Sequence, residues 1–235
     1  MDTKTRHALK EDKFAQATKS SFDWMSGHSS EMLRWGISIV VVLAVVVGGL
    51  IYWNVRASAA DRALGAALDT YNAPLAEPGV PPEAGEYVSS RDRSKAAHDQ
   101  FAAVADKYGW LPEGTKARYF EGITDQELGQ TASAESELKS AAKAHNRNLA
   151  NLAKLALASL YQSTERNAEA IALYNELESK PSETVSAVSA QLDLADLYAS
   201  EGKQDQARAL WAKVQDADKQ GAAGEIAAQK LGAKQ

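Results

Sequence analysis

The chain has 235 residues, of which 24% are charged and 45% hydrophobic, and its formal net charge is -5 at pH 7. Its 26 Lys and Arg residues are scattered among 31 Asp and Glu residues, which argues against nucleic acid as a main partner. There is no cysteine, so disulfides, thiolate nucleophiles and cysteine-bound zinc are excluded.

The first 34 residues form a polar segment with a few apolar side chains. Three of these recur at near-helical spacing and three more follow them, the set being Leu9, Phe14, Ala17, Phe22, Trp24 and Met25. Because the charges of the segment nearly cancel, its electrostatic attraction to a membrane is weak. Two roles stay open: lying on the inner membrane surface, or docking on a cytoplasmic partner.

Residues 35–55 form an apolar run without a single charge. At about 1.5 Å per residue, a helix of this length crosses the ~30 Å hydrocarbon core of a bilayer. Aromatic rings lie at both ends, where they prefer the headgroup level, and an arginine lies just beyond each end. The run predicts a transmembrane helix whose membrane interfaces are marked by Arg34, Trp35, Tyr52, Trp53 and Arg56.

A cleaved signal peptide is the competing interpretation, because Ala57 to Ala59 has the small-x-small pattern that signal peptidase reads. The apolar run is, however, longer than the roughly 7–15 residues of a signal peptide core. In addition, 34 residues precede it. We therefore predict a permanent anchor, and cleavage near Ala59 is left open.

The distribution of Lys and Arg around the run predicts its orientation. Six lie at or before its start, against two in the twenty residues after it: Lys4, Arg6, Lys10, Lys13, Lys19 and Arg34, then Arg56 and Arg62. The more basic flank stays in the cytoplasm. We predict a single-pass protein of the bacterial inner membrane, with a cytoplasmic segment over 1–34, the span over 35–55 and a periplasmic domain over 56–235. A regulator facing the cytoplasm is the opposite arrangement.

Three segments beyond residue 115 repeat one another at intervals of 36 and 37 residues. Small residues recur at two places, Gly122, Ala158 and Ala195 at the first and Ala134, Ala170 and Ala207 at the second. A large apolar residue follows the second place by four positions, as Leu138, Tyr174 and Trp211. Antiparallel helices approach closely only where small side chains lie at their crossing, and a bulky neighbour fills the gap. Each segment therefore predicts helix, short turn, helix.

This pattern resembles the tetratricopeptide repeat (TPR) family over roughly residues 115–215. Gly129 and Gly202 lie where the turn between two helices needs the backbone freedom of glycine. The family's common Trp is replaced by Arg118, Lys154 and Gln191, and its Tyr by Asp125 in the first segment. The period also exceeds the family's usual ~34 residues. The resemblance implies an all-α fold, in which the single N-terminal transmembrane helix is followed by a TPR-like α-solenoid of about four helix pairs.

The repeat extends toward the N-terminus, because Ala97 and Phe101 precede Ala134 and Leu138 by 37 residues. This spacing predicts a further pair, with its second helix near 91–107. Its first helix would run on from the span over Ala57 to Ala73. Four of the six prolines lie between these helices and predict an insertion loop over 72–92. At the other end, the alanine-rich residues 221–235 predict a short helix that caps the stack.

The sequence carries no recognisable catalytic or metal-binding motif. Its four histidines, His7, His28, His98 and His145, fall in different segments without metal-ligand spacing. Its acidic pairs are typical of solvated helix faces, and phosphate-binding and nucleophile motifs are missing. We therefore expect no enzyme activity, no cofactor, no metal and no small-molecule substrate. An enzyme with an unrecognised site is the alternative.

A stack of helix pairs offers a concave surface, lined by the first helix of each pair, that suits an extended or helical polypeptide. The inward candidates are Lys116, Tyr119, Ile123, Gln126, Leu155, Ser159, Gln162, Leu192, Asp196 and Ala199. Leu155 and Leu192 fit an ordinary core position equally well. The set has no cluster of Lys and Arg, so clamping of an acidic chain terminus is not expected. We predict weak, unselective contact with polypeptides.

A short cytoplasmic segment, one early span and an exported helical repeat together resemble the YfgM-like family, the membrane-anchored TPR-like ancillary subunits of the SecYEG translocon. The repeat motifs at 122–141, 158–177 and 195–214 carry this resemblance. It implies a protein that meets exported polypeptides beside the translocon and links them to a PpiD-like periplasmic chaperone. A structural scaffold of another inner-membrane or envelope complex is the alternative. Oligomeric state and client identity do not follow from the sequence.

Overall fold

The computed structural model describes residues 29–232. Nine helices occur in this range: α1 (Ser29–Tyr71), α2 (Ser90–Tyr108), α3 (Pro112–Leu128), α4 (Thr131–Ala141), α5 (Arg147–Ser163), α6 (Asn167–Ser179), α7 (Ala187–Ser200), α8 (Gln204–Ala217) and α9 (Ala222–Gly232). Among these residues there is no strand, only one isolated bridge between Leu75 and Tyr87. The all-α prediction is confirmed. The apolar set predicted between Leu9 and Met25, together with His7 and His28, lies outside the described residues.

The chain divides into two compact units, Met1–Arg56 and Ala57–Gln235. In the first unit, the side chains of α1 between Leu33 and Val55 are exposed. The candidate span has a mean hydropathy of 2.4, and none of that stretch is buried. By length and composition, this helix is able to cross a membrane. Just after the apolar run of this helix, the Arg56 guanidinium lies 5.4 Å from the Tyr52 ring centre, and its Nε donates to the Tyr52 hydroxyl at 3.2 Å.

The second unit begins with the last part of α1 packed against α2. Ala60, Leu64 and Ala67 recur at helical spacing, so they share one face, and that face is buried against Ala97 and Phe101 of α2. The predicted first pair is therefore present. Four pairs follow one another in this unit, α1–α2, α3–α4, α5–α6 and α7–α8, with successive helices in contact. The short α9 packs on α8 and α7, which buries Ala227 beside Trp211.

Local capping decides where several helices begin. The side chain of Ser89 accepts a hydrogen bond from the Asp92 backbone N–H at 3.1 Å, so α2 begins at Ser90. The proline-rich loop consequently covers 72–89, and the last three residues of the predicted 72–92 insertion are helical. Asn146 and Ser186 cap α5 and α7 in the same way.

The turns inside the three repeat segments share one conformation. Gly129 has φ of 80° and Gly202 has φ of 75°, so both predicted glycines use the backbone freedom that this residue provides. In the middle segment, Glu165 occupies the same place with φ of 61°. A left-handed conformation is unfavourable for a residue with a Cβ atom, so this glutamate is strained where glycine is not.

Candidate functional site

The packing residues predicted from the repeat lie inside the domain. All nine are buried: Gly122, Ala134, Leu138, Ala158, Ala170, Tyr174, Ala195, Ala207 and Trp211. At Gly122, the one glycine of this set, an added Cβ atom would lie 2.8 Å from Leu138 Cγ, so the two helices approach closely there. The small residues of the set therefore lie where two helices approach each other, as the repeat predicts.

The three positions at which the sequence departs from the family's Trp carry polar heads that bind glutamates. Arg118 Nη1 lies 2.9 Å from Glu137 Oε2, and Lys154 Nζ lies 2.9 Å from Glu176 Oε1. Gln191 Nε2 donates to Glu178 Oε1 at 2.8 Å. The aliphatic parts of these long side chains cover the helix pair, and their polar groups bind glutamates at its edge. These contacts take the place of the packing of the family's Trp.

The ten residues predicted for the concave face lie on α3, α5 and α7, and in the structure they are neither uniformly exposed nor buried. Lys116 and Ser159 are exposed, and the other eight are partly buried. We call the four partly buried large apolar members the inner row: Tyr119, Ile123, Leu155 and Leu192. Each of them touches a core cluster with part of its surface. Leu155 and Leu192 therefore contribute to the core and still keep exposed surface.

Two polar members of the predicted face have partners within the domain. Gln162 Oε1 accepts from the Tyr174 hydroxyl at 3.3 Å. Asp196 Oδ1 accepts from Trp211 Nε1 at 3.1 Å, and its Oδ2 lies 2.6 Å from Lys230 Nζ. Asp196 thus ties α7 to α8 and α9. The sequence could not show this, because Lys230 is 34 residues away and lies beyond the repeat.

A second carboxylate on α7 lies beside this network. Burial and the neighbouring Asp196 carboxylate raise the pKa of Asp193 to about 6. Burial, with Asp193 and Asp196 nearby, also raises the pKa of the Tyr174 hydroxyl to about 12. Two carboxylates therefore lie close together on α7, and one of them is paired with Lys230.

A buried polar contact between α2 and α3 was not predicted from the sequence. Asp125 is fully buried on α3, and His98 Nε2 of α2 lies 2.9 Å from its Oδ1. Glu121, one turn earlier, has its pKa raised to about 7, mainly by burial and then by the nearby Glu137 carboxylate. The sequence did indicate an unusual position. Asp125 occupies the place at which the family has Tyr, whereas the equivalent place 36 residues later is occupied by Tyr161.

The chemistry of the described residues is that of a contact surface. Within residues 29–232 there is no group of three His, Asp or Glu side chains arranged to hold a metal ion. The inner row offers aromatic and aliphatic surface flanked by amide and hydroxyl groups, and Lys116 is the one basic residue among the ten predicted for this face. Apolar contact and hydrogen bonds are the interactions that a surface of this composition can offer.

A domain of stacked helix pairs that keeps a row of apolar side chains partly exposed is typical of helical-repeat interaction proteins. The sequence model of the family described as tetratricopeptide repeat-like domain matches residues 32–233. The chain belongs to this family. No match was found among curated proteins or among solved structures. TPR-like domains typically mediate contacts between proteins and are not enzymes.

Proposed function

We propose that this protein is a membrane-anchored periplasmic interaction module that contacts exported polypeptides beside the SecYEG translocon and links them to a PpiD-like chaperone. The observation that supports polypeptide binding is the inner row, which keeps aromatic and aliphatic surface exposed along three successive first helices. An extended chain would lie along this row, with its backbone within reach of Gln126 and Gln162.

The proposed topology explains why a low binding affinity would be sufficient. Residues 1–34 would lie in the cytoplasm, 35–55 would cross the inner membrane and 56–235 would lie in the periplasm, with the five interface residues at the headgroups. Tethering a weak binder close to the site at which its clients emerge raises their effective concentration to roughly the millimolar range. A contact of low affinity and low selectivity is then sufficient.

In-cell photocrosslinking tests the proposal. A photoreactive residue replaces Tyr119 or Gln162, and crosslinked partners are identified by mass spectrometry after irradiation of intact cells. We expect many exported polypeptides, together with translocon subunits. Asn175 of α6 and Ala212 of α8 are exposed on second helices and serve as matched control positions. Equal yields from the control positions would contradict binding along the inner row.

The same experiment separates the proposal from the scaffold alternative. A scaffold that holds one envelope complex together would give a single constant neighbour from Tyr119 and Gln162, and the yield would not change when secretion is blocked. A client-binding module would lose its polypeptide crosslinks under that block.

The orientation needs an independent measurement. A reporter that is active only outside the cytoplasm, fused after Gln235, should be active, and the same reporter fused before Met1 should be inactive. The reverse pattern would exclude contact with exported chains.

A further inference from the structure

The turn between α2 and α3 carries an exposed tryptophan that the proposed polypeptide binding does not use. Trp110 is 52% exposed, whereas the next residue, Leu111, is buried. The turn is therefore fixed on the core while Trp110 keeps about half of its surface accessible. The other tryptophans in the described part of the chain are Trp35 and Trp53, at the ends of the apolar run, and the buried Trp211.

Two contacts show how α2 runs beside the last part of α1. At the start of α2, Arg93 Nη1 donates to the Ala73 carbonyl oxygen, just past the end of α1, at 3.1 Å. Seven residues further along α2, Gln100 Nε2 donates to Thr70 Oγ1 at 3.0 Å. Residue numbers rise in α2 as they fall in α1, so the two helices are antiparallel. The end of α2 therefore lies toward the beginning of the second unit.

The same contacts place the turn beside Ala60. Ala60 lies ten residues before Thr70, and Trp110 lies ten residues after Gln100, which is about 15 Å along a helix in each case. Leu111 belongs to the same buried cluster as Ala60. Trp110 is therefore roughly level with Ala60.

Ala60 cannot be far from the membrane if residues 35–55 cross it as proposed. It lies four residues beyond Arg56 in helix α1, which is about 6 Å. The polar headgroup region has a depth of roughly 5–7 Å on each side of the hydrocarbon core. Tryptophan prefers this depth, because its ring is apolar but its N–H needs a polar partner.

We propose that the turn between α2 and α3 is a second membrane contact, in which Trp110 lies among the phospholipid headgroups of the leaflet where the apolar run ends. This inference rests on the proposed transmembrane span. Phospholipid is favoured over a protein partner because the contact would be continuous with the membrane interface at Tyr52, Trp53 and Arg56. A single helix anchors a domain at one point, and a second contact restricts the rotation of the domain about that helix.

Fluorescence quenching in nanodiscs tests this contact. The chain has no cysteine, so one introduced cysteine carries a fluorophore at a single position. The nanodiscs contain the full chain and phosphatidylcholine, part of which carries a nitroxide quencher on its headgroup. Lys107→Cys places the fluorophore at an exposed position beside the turn. Val88→Cys is the matched control, because it is exposed just before the other end of α2, about 28 Å away. We expect strong quenching at position 107 and little at position 88.

Two variants assign the quenching to the tryptophan. With the fluorophore at position 107, Trp110→Ser should lose most of the quenching. Trp110→Tyr should keep it, because tyrosine also prefers the headgroup region. Quenching at position 107 no stronger than at position 88, or unchanged quenching in Trp110→Ser, would overturn the proposal.

A third labelled position separates this inference from the proposed topology. Asn54 lies near the end of the apolar run, so a fluorophore on Asn54→Cys should be quenched if the run spans the bilayer. Quenching at position 54 but not at 107 would overturn the second contact and leave the span standing. Absence of quenching at both positions would contradict the span as well. A photocrosslink from position 110 to a protein in intact cells, without quenching at 107 in nanodiscs, would assign the turn to a protein partner and overturn the lipid contact.

Discussion

The first and second repeat segments, α3–α4 and α5–α6, share one backbone plan but differ in their cores. Glu121 and Asp125 of α3 lie 36 residues before Leu157 and Tyr161 of α5. In the first segment these positions hold carboxylates, one of them fully buried. In the second they contribute to an apolar cluster that continues from α4 to α7.

The difference indicates which positions a repeat needs. Both segments keep a small residue at the helix crossing, Gly122 or Ala158, and both keep a buried bulky residue opposite, Leu138 or Tyr174. Polarity elsewhere on the first helix is tolerated when neighbouring groups compensate part of its cost. The cost itself remains, because a buried carboxylate with few partners is unfavourable when it is charged.

The largest expected effect comes from giving the second segment a charge at the place where the first has one. Leu157→Glu should destabilise the domain by about 4 kcal/mol, because it places a carboxylate inside a buried apolar cluster. Equilibrium urea unfolding of the full chain in detergent measures this loss. Ala172→Glu, at an exposed position of α6, is the control and should change stability by less than about 0.5 kcal/mol.

The link between the two segments should weaken in acid. Glu135 of α4 accepts hydrogen bonds from Arg166, Lys139 and Tyr161, and the first two lower its pKa to about 2. A lowered pKa stabilises the fold above about pH 4.5, and this gain is lost as pH falls through about 2.

Glu135→Gln should therefore cost about 1–2 kcal/mol at pH 6 and reduce the loss of stability between pH 4.5 and pH 2. Urea unfolding at a series of pH values measures both effects. Glu225→Gln, at an exposed position of α9, should keep the wild-type profile. An unchanged acid slope in Glu135→Gln would show that the two segments are not linked through this carboxylate.

A single added methyl group at the helix crossing of the first segment should destabilise the domain. Gly122→Ala should cost about 1 kcal/mol net, because its Cβ atom would press on Leu138 and the better helix propensity of alanine offsets only part of that strain. Thermal unfolding compares it with Gly65→Ala, where an added Cβ atom meets nothing within 4 Å. That control should be neutral or stabilising by up to about 1 kcal/mol.

The smallest expected effect concerns the turns. Glu165→Gly should stabilise the domain by about 0.5 kcal/mol, because glycine adopts a positive φ without strain, although the unfolded chain gains freedom. Gly129→Ala in the first segment should have the opposite sign and cost about 1 kcal/mol. Melting temperatures of both variants check this, and a loss of stability in Glu165→Gly would contradict the strain assigned to that turn.

Much of the fold could be predicted because it depends on local spacing. Small residues at intervals of 36 and 37 residues marked the helix crossings, and two glycines marked turns that do have positive φ. The turn at Glu165 was not predicted, because glutamate does not favour the positive φ that it has there. The end of the predicted 72–92 insertion loop overlaps the first three residues of α2, because one capping hydrogen bond to Ser89 decides where that helix begins.

The candidate binding face was less predictable than the fold. Helical spacing placed the inner row on the first helices, but the exposed fraction of each member depends on how closely the next helix packs. Asp196 illustrates the limit, since its carboxylate is held by Trp211 and by Lys230 of α9, which lies outside the repeat.

By itself, the sequence determined one apolar helix long enough to cross a bilayer, together with a series of helix pairs, because both depend on hydrophobic spacing along the chain. Only the tertiary structure decided which charges meet. His98 and Asp125 lie on different helices, and their approach to 2.9 Å results from the packing of three helices around them. Contacts of that kind are set by the separation and rotation of helices, which local periodicity does not specify.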